Sequence, residues 1–303
     1  MKHTLILTIA ALLAIGAVGC HQHKAEEELT DAEKLELLDL KIERSPKDAS
    51  LLAKRAKVLL DLGRSQEAMF DIGKAVSLAP DNVEYLLLQA DIYFANRETD
   101  KCLQTLNHAE ELEPKSKEVQ LKLGELTYYR HDYDRSLRHL TNVTEQEPDN
   151  RNALFMKGFI YLERGDTAEA VTLFRRVCDI YPDYELAFEE LGVLYAEKKN
   201  PMAVEYLSTA AKLEPSNTNV IYNLGKYYQD IEEYSQAEQY YHQLLDINPA
   251  SADAWHNLGY IELFVYSDID QAIAYFDKAL EADPSHEASK INRDIAIQIK
   301  NSK

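Results

Sequence analysis

Glycine and proline are scarce in this chain of 303 residues, with ten and nine of them, while 46% of its residues are hydrophobic. This composition lacks the low hydrophobicity of a disordered protein and supplies enough apolar side chains for a packed core. The abundance of Leu, Ala, Glu and Lys favours helices.

Stretches of positive charge are missing as well. The chain has 52 acidic against 33 basic residues, which gives a formal net charge of −19 at pH 7. A nucleic acid would have to bind against this repulsion. The sequence therefore argues against a nucleic-acid partner.

Enzyme motifs are absent too. The sequence contains no H-E-x-x-H, G-x-S-x-G, G-x-x-x-x-G-K-[ST] or G-x-G-x-x-G, and its nine histidines are scattered. We therefore predict a protein that is not an enzyme and that uses neither a cofactor nor a metal.

The apolar run near the amino terminus is too short to span a membrane. It covers the fourteen residues 5–18 after a positive start at Met1-Lys2-His3, and a spanning helix needs about 20 residues. This layout predicts a secretory signal over residues 1–19. The run ends in Ala17-Val18-Gly19-Cys20, which resembles a bacterial lipobox and implies a lipid on Cys20. An ordinary cleavable signal with a cysteine near its end is the alternative.

Residues 20–30 read as a flexible tether. His21 follows the cysteine in place of the Asp that retains some lipoproteins in the inner membrane, so we expect the outer membrane of a Gram-negative bacterium. The run Glu26-Glu27-Glu28 resembles the surface-export tags of Bacteroidetes lipoproteins, but a solvated tether explains it equally. His21 and His23 lack the further ligands that a metal site needs.

The other two cysteines do not predict a disulfide. Cys102 and Cys178 are 76 residues apart, about two units of the repeat described next, and a disulfide requires Cα atoms within about 7 Å. We expect both to be free and buried.

Eight of the nine prolines form a ladder with a spacing of 33 to 35 residues. Proline ends a helix and keeps the preceding residue out of the helical region, so each of these prolines marks a joint between units. Amphipathic stretches lie on both sides of each joint, which predicts units of helix, turn and helix. The ladder consists of Pro46, Pro80, Pro114, Pro148, Pro182, Pro215, Pro249 and Pro284.

The first helix of these units resembles the tetratricopeptide repeat. The stretch 255–259, Trp-His-Asn-Leu-Gly, has the W-x2-L-G opening, and residues 191–195 and 224–228 have L-G-x2-Y in full. The resemblance implies an all-α fold, a right-handed superhelical solenoid with capping helices at both ends. We predict a leading helix at 31–46, seven repeats at about 49–284, and a capping helix at 285–300 whose apolar stripe is Ala288, Ile291, Ile295 and Ile299.

In that family the first helix of each repeat contacts ligands through its second, fifth, ninth and twelfth to thirteenth positions. The alternative for the aromatic residues among these positions is packing between neighbouring helices. The candidate groove residues are Glu84, Leu87, Asp91, Phe94, Glu118, Leu121, Glu125, Tyr128, Tyr129, Phe155, Phe159, Glu163, Glu189 and Tyr222.

These positions are rich in acidic and aromatic residues, which disfavours the carboxylate-clamping mode of the family. They favour a protein partner with basic and apolar segments. The leading hypothesis is a membrane-tethered scaffold or adaptor in a bacterial cell envelope. The alternatives are a surface glycan-binding or uptake component and a soluble periplasmic chaperone-like protein.

Overall fold

The computed structural model describes residues 29–302. The predicted signal peptide, Cys20 and nearly all of the tether lie outside the described residues. Across residues 29–302, no helix is both long and apolar enough to cross a membrane.

The described residues form sixteen α-helices and no strand, so the predicted all-α fold is confirmed. A short π-helical segment, Glu262–Tyr266, continues the fourteenth helix. The helices are α1 Asp31–Arg44, α2 Ala49–Asp61, α3 Ser65–Leu78, α4 Val83–Ala95, α5 Thr99–Leu112, α6 Lys117–Tyr129, α7 Tyr133–Gln146, α8 Arg151–Glu163, α9 Thr167–Ile180, α10 Glu185–Glu197, α11 Met202–Leu213, α12 Thr218–Asp230, α13 Tyr234–Ile247, α14 Ala252–Ile261, α15 Ile269–Ala282 and α16 Glu287–Ser302.

Helices α2 to α15 make seven pairs, and the first helix of each pair begins three residues after a proline of the ladder. Several of these starts carry a side-chain cap. Asn82 accepts a hydrogen bond from the Tyr85 backbone N–H at 3.0 Å, and Asn150 accepts one from the Ala153 N–H at the same distance. Such caps satisfy backbone donors that a helix start leaves without partners, so they help to define where each repeat begins.

A close contact joins the two helices of each pair. From the third repeat onward, the eighth residue of the first helix is glycine, and a Cβ atom there would lie less than 3 Å from a large side chain of the second helix. In the sixth repeat the large side chain is Tyr241, which is fully buried and donates a hydrogen bond to Gln229 at 2.7 Å. The facing pairs are Gly124 and Leu140, Gly158 and Phe174, Gly192 and Leu207, Gly225 and Tyr241, and Gly259 and Phe276.

The turn inside each repeat needs one residue with a positive φ angle. Glycine fills this position only at Gly63 and Gly165, where φ is 73° and 77°. Elsewhere the position holds a residue with a Cβ atom, which is less favourable in this region. In the seventh repeat the π-helical segment takes up the extra residue just before Ser267, whose φ is 62°. The other such residues are Arg97, His131, Lys199 and Glu232.

The chain divides into two compact units, Met1–Pro148 and Asp149–Lys303. In the first unit, the core clusters combine small and large apolar residues of α2 to α6, such as Ala56 with Ile72. In the second unit, the largest cluster lies among α8, α9 and α10 and contains Phe174 and Leu191. Each cluster draws on both helices of a repeat and on the first helix of the next one.

The end helices cover the outer repeats of their units. Leu38 of α1 is buried, and Leu35 and Ile42 pack against the core of the first repeat. Helix α16 buries Ser289 and Ala296. Of its expected stripe, Ile295 and Ile299 pack against the core, but Ile291 is 57% exposed. The buried face of α16 is thus centred on small residues, a feature that an apolar periodicity does not reveal.

We predict that Gly225→Ala destabilises the protein by about 1–3 kcal/mol, because the added methyl group would lie 2.7 Å from the buried Tyr241 ring. Gly73→Ala is the control, since a Cβ atom at Gly73 has nothing within 4 Å and alanine favours a helix. Urea unfolding followed by circular dichroism measures both effects. Equal midpoints for the two variants would contradict the role assigned to the close contact.

Candidate functional site

The first helices of the Met1–Pro148 unit and helix α1 enclose a groove of about 700 Å³. We call it the amino-terminal groove. Each contributing helix presents residues spaced three, four or seven apart, which is the spacing of a single helical face. The groove is lined by Leu29; by Lys34, Leu37, Leu38 and Lys41 of α1; by Ser50, Leu51, Ala53, Lys54, Lys57 and Val58 of α2; by Glu84, Tyr85, Leu87, Leu88 and Asp91 of α4; and by Glu118 and Lys122 of α6.

The groove has an apolar floor and charged walls. Leu37 and Leu51 are half-buried and lie outside the core clusters, so part of their surface faces the groove. One wall carries the lysines of α1 and α2, and the other carries the carboxylates of α4 and α6. Within the second wall, Lys122 of α6 forms an ion pair with Asp91 of α4, with 2.6 Å between Nζ and Oδ1. A pocket of this size with a few charged groups around apolar side chains is typical of a binding site.

Four of the sequence-predicted residues line this groove. Glu84 and Glu118 are exposed, Asp91 is half-buried, and Leu87 is 6% exposed and belongs to the floor. The sequence analysis missed the lysine wall. The repeat register gives part of this wall. The residues 34 positions before Glu84, Leu87 and Asp91 are Ser50, Ala53 and Lys57, and all three line the groove. Lys34 and Lys41 of the leading helix belong to no repeat, so the register gave no signal for them.

An exposed aromatic cluster lies where α4 and α6 end and α7 begins. Tyr129 is 62% exposed and Phe94 is 41% exposed, with a ring-centroid distance of 5.2 Å between them. Tyr128 lies 6.1 Å from Tyr129 and 5.8 Å from Tyr133. The structure thus brings together three predicted residues, Phe94, Tyr128 and Tyr129. We call these three together with Tyr133 the aromatic edge.

The remaining predicted residues of this unit are half-buried. Glu125 has a raised pKa because burial disfavours its charged form, an effect that the nearby Lys122 partly opposes. Leu121 lies one turn before Glu125 on α6. Neither side chain lines the groove.

In the Asp149–Lys303 unit, the predicted aromatic residues belong to the core. Phe155 is 9% exposed, and its ring centroid lies 4.9 Å from Phe159, 5.4 Å from Phe174 and 5.2 Å from Tyr184. Phe159 is half-buried and packs against the same cluster. Arg151 lies over the Tyr184 ring, with 4.5 Å between the guanidinium carbon and the ring centroid, and forms a cation–π pair with it.

The three other predicted residues of this unit are dispersed. Glu163 is exposed. Glu189 accepts a hydrogen bond of 3.0 Å from Asn217 Nδ2, and burial raises its pKa. The Tyr222 hydroxyl accepts a hydrogen bond of 3.5 Å from Asn257 Nδ2. None of these three side chains lines the amino-terminal groove.

Cys102 and Cys178 are free and buried, as the sequence analysis predicted. Burial raises the pKa of the Cys102 thiol to about 11 and that of the Cys178 thiol to about 12. A thiol that stays protonated at neutral pH is a poor nucleophile and a poor metal ligand. In the part of the chain that the structure describes, no group of three or more His, Cys, Asp or Glu side chains is placed to hold a metal ion.

Comparison with known families agrees with the repeat register. One tetratricopeptide repeat model matches residues 121–185 and 222–287, and a second matches residues 49–82. Together these matches cover more than half of the sequence. The chain belongs to the tetratricopeptide repeat family. The predicted fold class, an all-α solenoid of such repeats, is thereby confirmed.

Individual proteins match this chain to different extents. A crystal structure of MamA protein matches with a TM-score of 0.52 and 22% identity, over 56% of this chain and 93% of that one. The Cut9–Hcn1 hetero-tetramer of APC/C matches with a TM-score of 0.58 and 14% identity, over 86% of this chain and 52% of that one. The BBSome complex member BBS4 of Mus musculus is 30% identical over 92 residues, which are 29% of this chain and 16% of the mouse protein.

Proteins of this family share a general function. Tetratricopeptide repeat proteins bind other proteins, and their repeats generally act as non-catalytic scaffolds.

We predict that stability depends on pH through Glu190, next to the predicted Glu189. Burial is the main cause, and repulsion from Glu189 the smaller one, that raises the Glu190 pKa from 4.5 to about 7. Below pH 4.5 the Glu190 carboxyl is protonated in both the folded and the unfolded state, so its burial does not lower the free energy of unfolding. As the pH rises from 4.5 to 7, the unfolded chain loses this proton first, so the folded state is destabilised. Glu190→Gln should therefore stabilise the protein at pH 8, by up to about 3 kcal/mol, and leave it unchanged at pH 4.

The measurement is urea unfolding of wild type and variant at pH 4 and pH 8. Glu197→Gln is the matched control, because Glu197 lies on the same helix and is exposed. A gain of the same size at both pH values would show that Glu190 acts through packing and not through its charge.

Proposed function

We propose that this protein is a lipid-anchored scaffold or adaptor of a bacterial cell envelope, and that its amino-terminal groove captures a segment of a protein partner. The observation that carries the proposal is the groove itself, a cavity of about 700 Å³ with an apolar floor and charged walls. The floor supplies apolar contact area, and the charged walls supply orientation and selectivity. This function is an instance of the protein binding that is general in the family.

The position of the groove in the chain supports a role at a membrane. Leu29 lines the groove, and Cys20, the proposed lipid attachment site, lies nine residues earlier. Nine residues span at most about 30 Å even when fully extended. A lipid on Cys20 would therefore keep the groove close to the membrane surface, where it would meet partners in or at the same membrane. The residue after Cys20 favours the outer membrane, with either face allowed.

The aromatic edge favours glycan binding as a second candidate function. Tyr129 and Phe94 expose ring surface on one side of the first unit, and sugars stack on such rings. The edge residues do not line the amino-terminal groove, so we rank the glycan-binding component below the adaptor. The soluble chaperone-like alternative differs from both in having no lipid.

We predict that a clickable palmitate analogue labels the wild-type protein in bacterial cells and fails to label Cys20→Ala. The matched control is Cys178→Ala, which removes a buried thiol with a raised pKa and should leave labelling unchanged. In-gel fluorescence after conjugation of a dye gives the readout. Labelling that persists in Cys20→Ala would remove the lipid anchor from the proposal and favour the soluble alternative.

We predict that Leu51→Ser reduces the capture of protein partners at least severalfold, because it removes an apolar contact from the groove floor. The readout is cross-linking in intact cells, followed by purification of the full-length chain and quantitative mass spectrometry. Leu78→Ser is the matched control, since Leu78 is 47% exposed at the end of α3 and does not line the groove. Far-UV circular dichroism checks that both variants retain their helices.

A glycan microarray probed with the same proteins separates the two candidate functions. Partner capture that is lost in Leu51→Ser and retained in Leu78→Ser supports the adaptor. Sugar binding that is abolished by Tyr129→Ala, with no protein partner captured by the wild type, would replace the adaptor by the glycan-binding component.

A further inference from the structure

We propose that a cluster of histidines makes the attachment of helix α16 pH-sensitive, and that α16 detaches from the seventh repeat when the pH falls from neutral to about 5. The cluster consists of Asp253 and His256 of α14, His286 directly before α16, and Ser289 in the first turn of α16. We call these four residues the polar latch. They connect the end helix to the last helix pair of the Asp149–Lys303 unit.

The hydrogen bonds of His286 assign the position of its proton. Its Nδ1 accepts the backbone N–H of Ser289 at 3.2 Å, so this nitrogen carries no proton and caps the start of α16. The other ring nitrogen, Nε2, therefore carries the proton and donates it to Asp253 Oδ1 at 3.2 Å. His286 thus joins α16 to α14 while its ring is neutral.

The Ser289 hydroxyl connects the two imidazole rings. It lies 2.7 Å from His286 Nδ1 and 3.0 Å from His256 Nδ1, and Ser289 is fully buried. Because His286 Nδ1 is an acceptor, the hydroxyl donates to it and accepts a hydrogen bond from the Nδ1–H of His256. Both rings are neutral in this arrangement, and His286 can take a second proton only at Nδ1.

A second proton on His286 disrupts the polar latch. It removes the acceptor of both the Ser289 backbone N–H and the Ser289 hydroxyl. The hydroxyl hydrogen then needs a new acceptor at a fully buried position, and a buried polar group without a partner is costly. The charged ring would gain an ion pair with Asp253, but that carboxylate is 69% exposed and such pairs contribute little. The loss exceeds the gain, so protonation favours the detached helix.

The second imidazole adds to this effect. Burial, and to a smaller extent the charge of the neighbouring His286, lower the pKa of His256 below its ordinary value of 6.5, an effect that Asp253 partly opposes. The two ring centroids are 5.1 Å apart, so two charged rings would repel each other. The detached state therefore takes up a proton more readily than the docked state. Docking is fully stabilised above pH 6.5 and loses stability as the pH falls toward the lowered pKa.

The charged groups of the surrounding elements already have partners. Asp283, in the turn before α16, accepts two hydrogen bonds from Ser285. Asp253 is the carboxylate that contacts an imidazole of the polar latch. The other charged groups form ion pairs, Lys290 with Glu287 along α16 and Arg293 with Asp277 of α15.

Detachment of α16 would uncover the end of the repeat core. Ile295 and Ile299 of α16 pack against a cluster that includes Leu263, Ala272 and Phe276, of which Ala272 and Phe276 are fully buried. A stack of repeats without its end helix exposes such side chains to solvent. The low-pH form should therefore bind an apolar dye that the neutral form does not bind.

Hydrogen exchange of the full-length chain, measured by mass spectrometry at pH 7.5 and pH 5.0, tests the proposal. His286→Asn is the reference variant, because Asn caps a helix start through an oxygen that takes up no proton. Comparison of the two proteins at the same pH cancels the intrinsic pH dependence of exchange. At pH 5.0 we expect peptides of residues 287–302 to exchange roughly tenfold faster in the wild type than in the variant, and at pH 7.5 within about twofold.

His131→Asn is the matched control. It makes the same substitution at an exposed turn of the other unit, where φ is 58°, a conformation that Asn tolerates. This control should exchange like the wild type at both pH values. Equal exchange of α16 in the wild type and His286→Asn at pH 5.0 would overturn the proposal. So would acceleration spread evenly over all helices, because that pattern indicates acid unfolding of the whole chain.

Two further measurements keep the test decisive. Fluorescence of the apolar dye anilinonaphthalene sulfonate should rise at pH 5.0 in the wild type and stay low in His286→Asn, and no rise would mean that α16 remains docked. If circular dichroism shows that His286→Asn does not fold, His256→Gln replaces it as the reference. Because it removes the repulsion between the rings, α16 should exchange severalfold more slowly in this variant than in the wild type at pH 5.0, and equal rates would reject the proposal.

Discussion

The contact between a small residue on the first helix and a large residue on the second is the constraint on which each repeat depends. Where the small residue is glycine, from Gly124 onward, a Cβ atom would meet the facing side chain at less than 3 Å. The two helices are therefore too close at this residue to leave room for a side chain. In the first two repeats alanine occupies the same position, as Ala56 and Ala90, and both side chains are buried. The contact sets the rotation of each helix about its axis, and this rotation decides which residues face outward.

The amino-terminal groove follows from that rotation. Once position eight is directed at the partner helix, positions two, five and nine of α2 and α4 point to one side, and all six residues line the groove. Helix α1 completes the groove because it packs on the first repeat through Leu35 and Ile42 and lines the groove with Lys34, Leu38 and Lys41. The helix that covers the end of the repeat core thus also forms a wall of the candidate site.

The sequence predicts the fold far better than it predicts the site, for a physical reason. Prolines at a fixed interval and an L-G-x2-Y signature report local backbone geometry, so they place the helices nearly to the residue. Side-chain exposure depends instead on the neighbouring repeats. Phe155 and Tyr129 both occupy positions that the register predicts to face the groove, the fifth and the thirteenth of a first helix. Yet Phe155 is 9% exposed among three other rings, while Tyr129 is 62% exposed at a helix end. Such differences arise from packing between repeats, which a register alone does not contain.

The net charge of the whole chain and the charges that line the groove lead to different expectations about a partner. A net charge of −19 predicts attraction for basic partners at long range. At physiological salt, however, exposed charges more than about 8 Å apart are largely screened from one another. A segment inside the groove therefore responds to the lysines and carboxylates that line it and hardly to the carboxylates elsewhere on the chain. The long-range charge thus affects how fast a partner is encountered, while contacts with the groove lining determine how long the complex lasts.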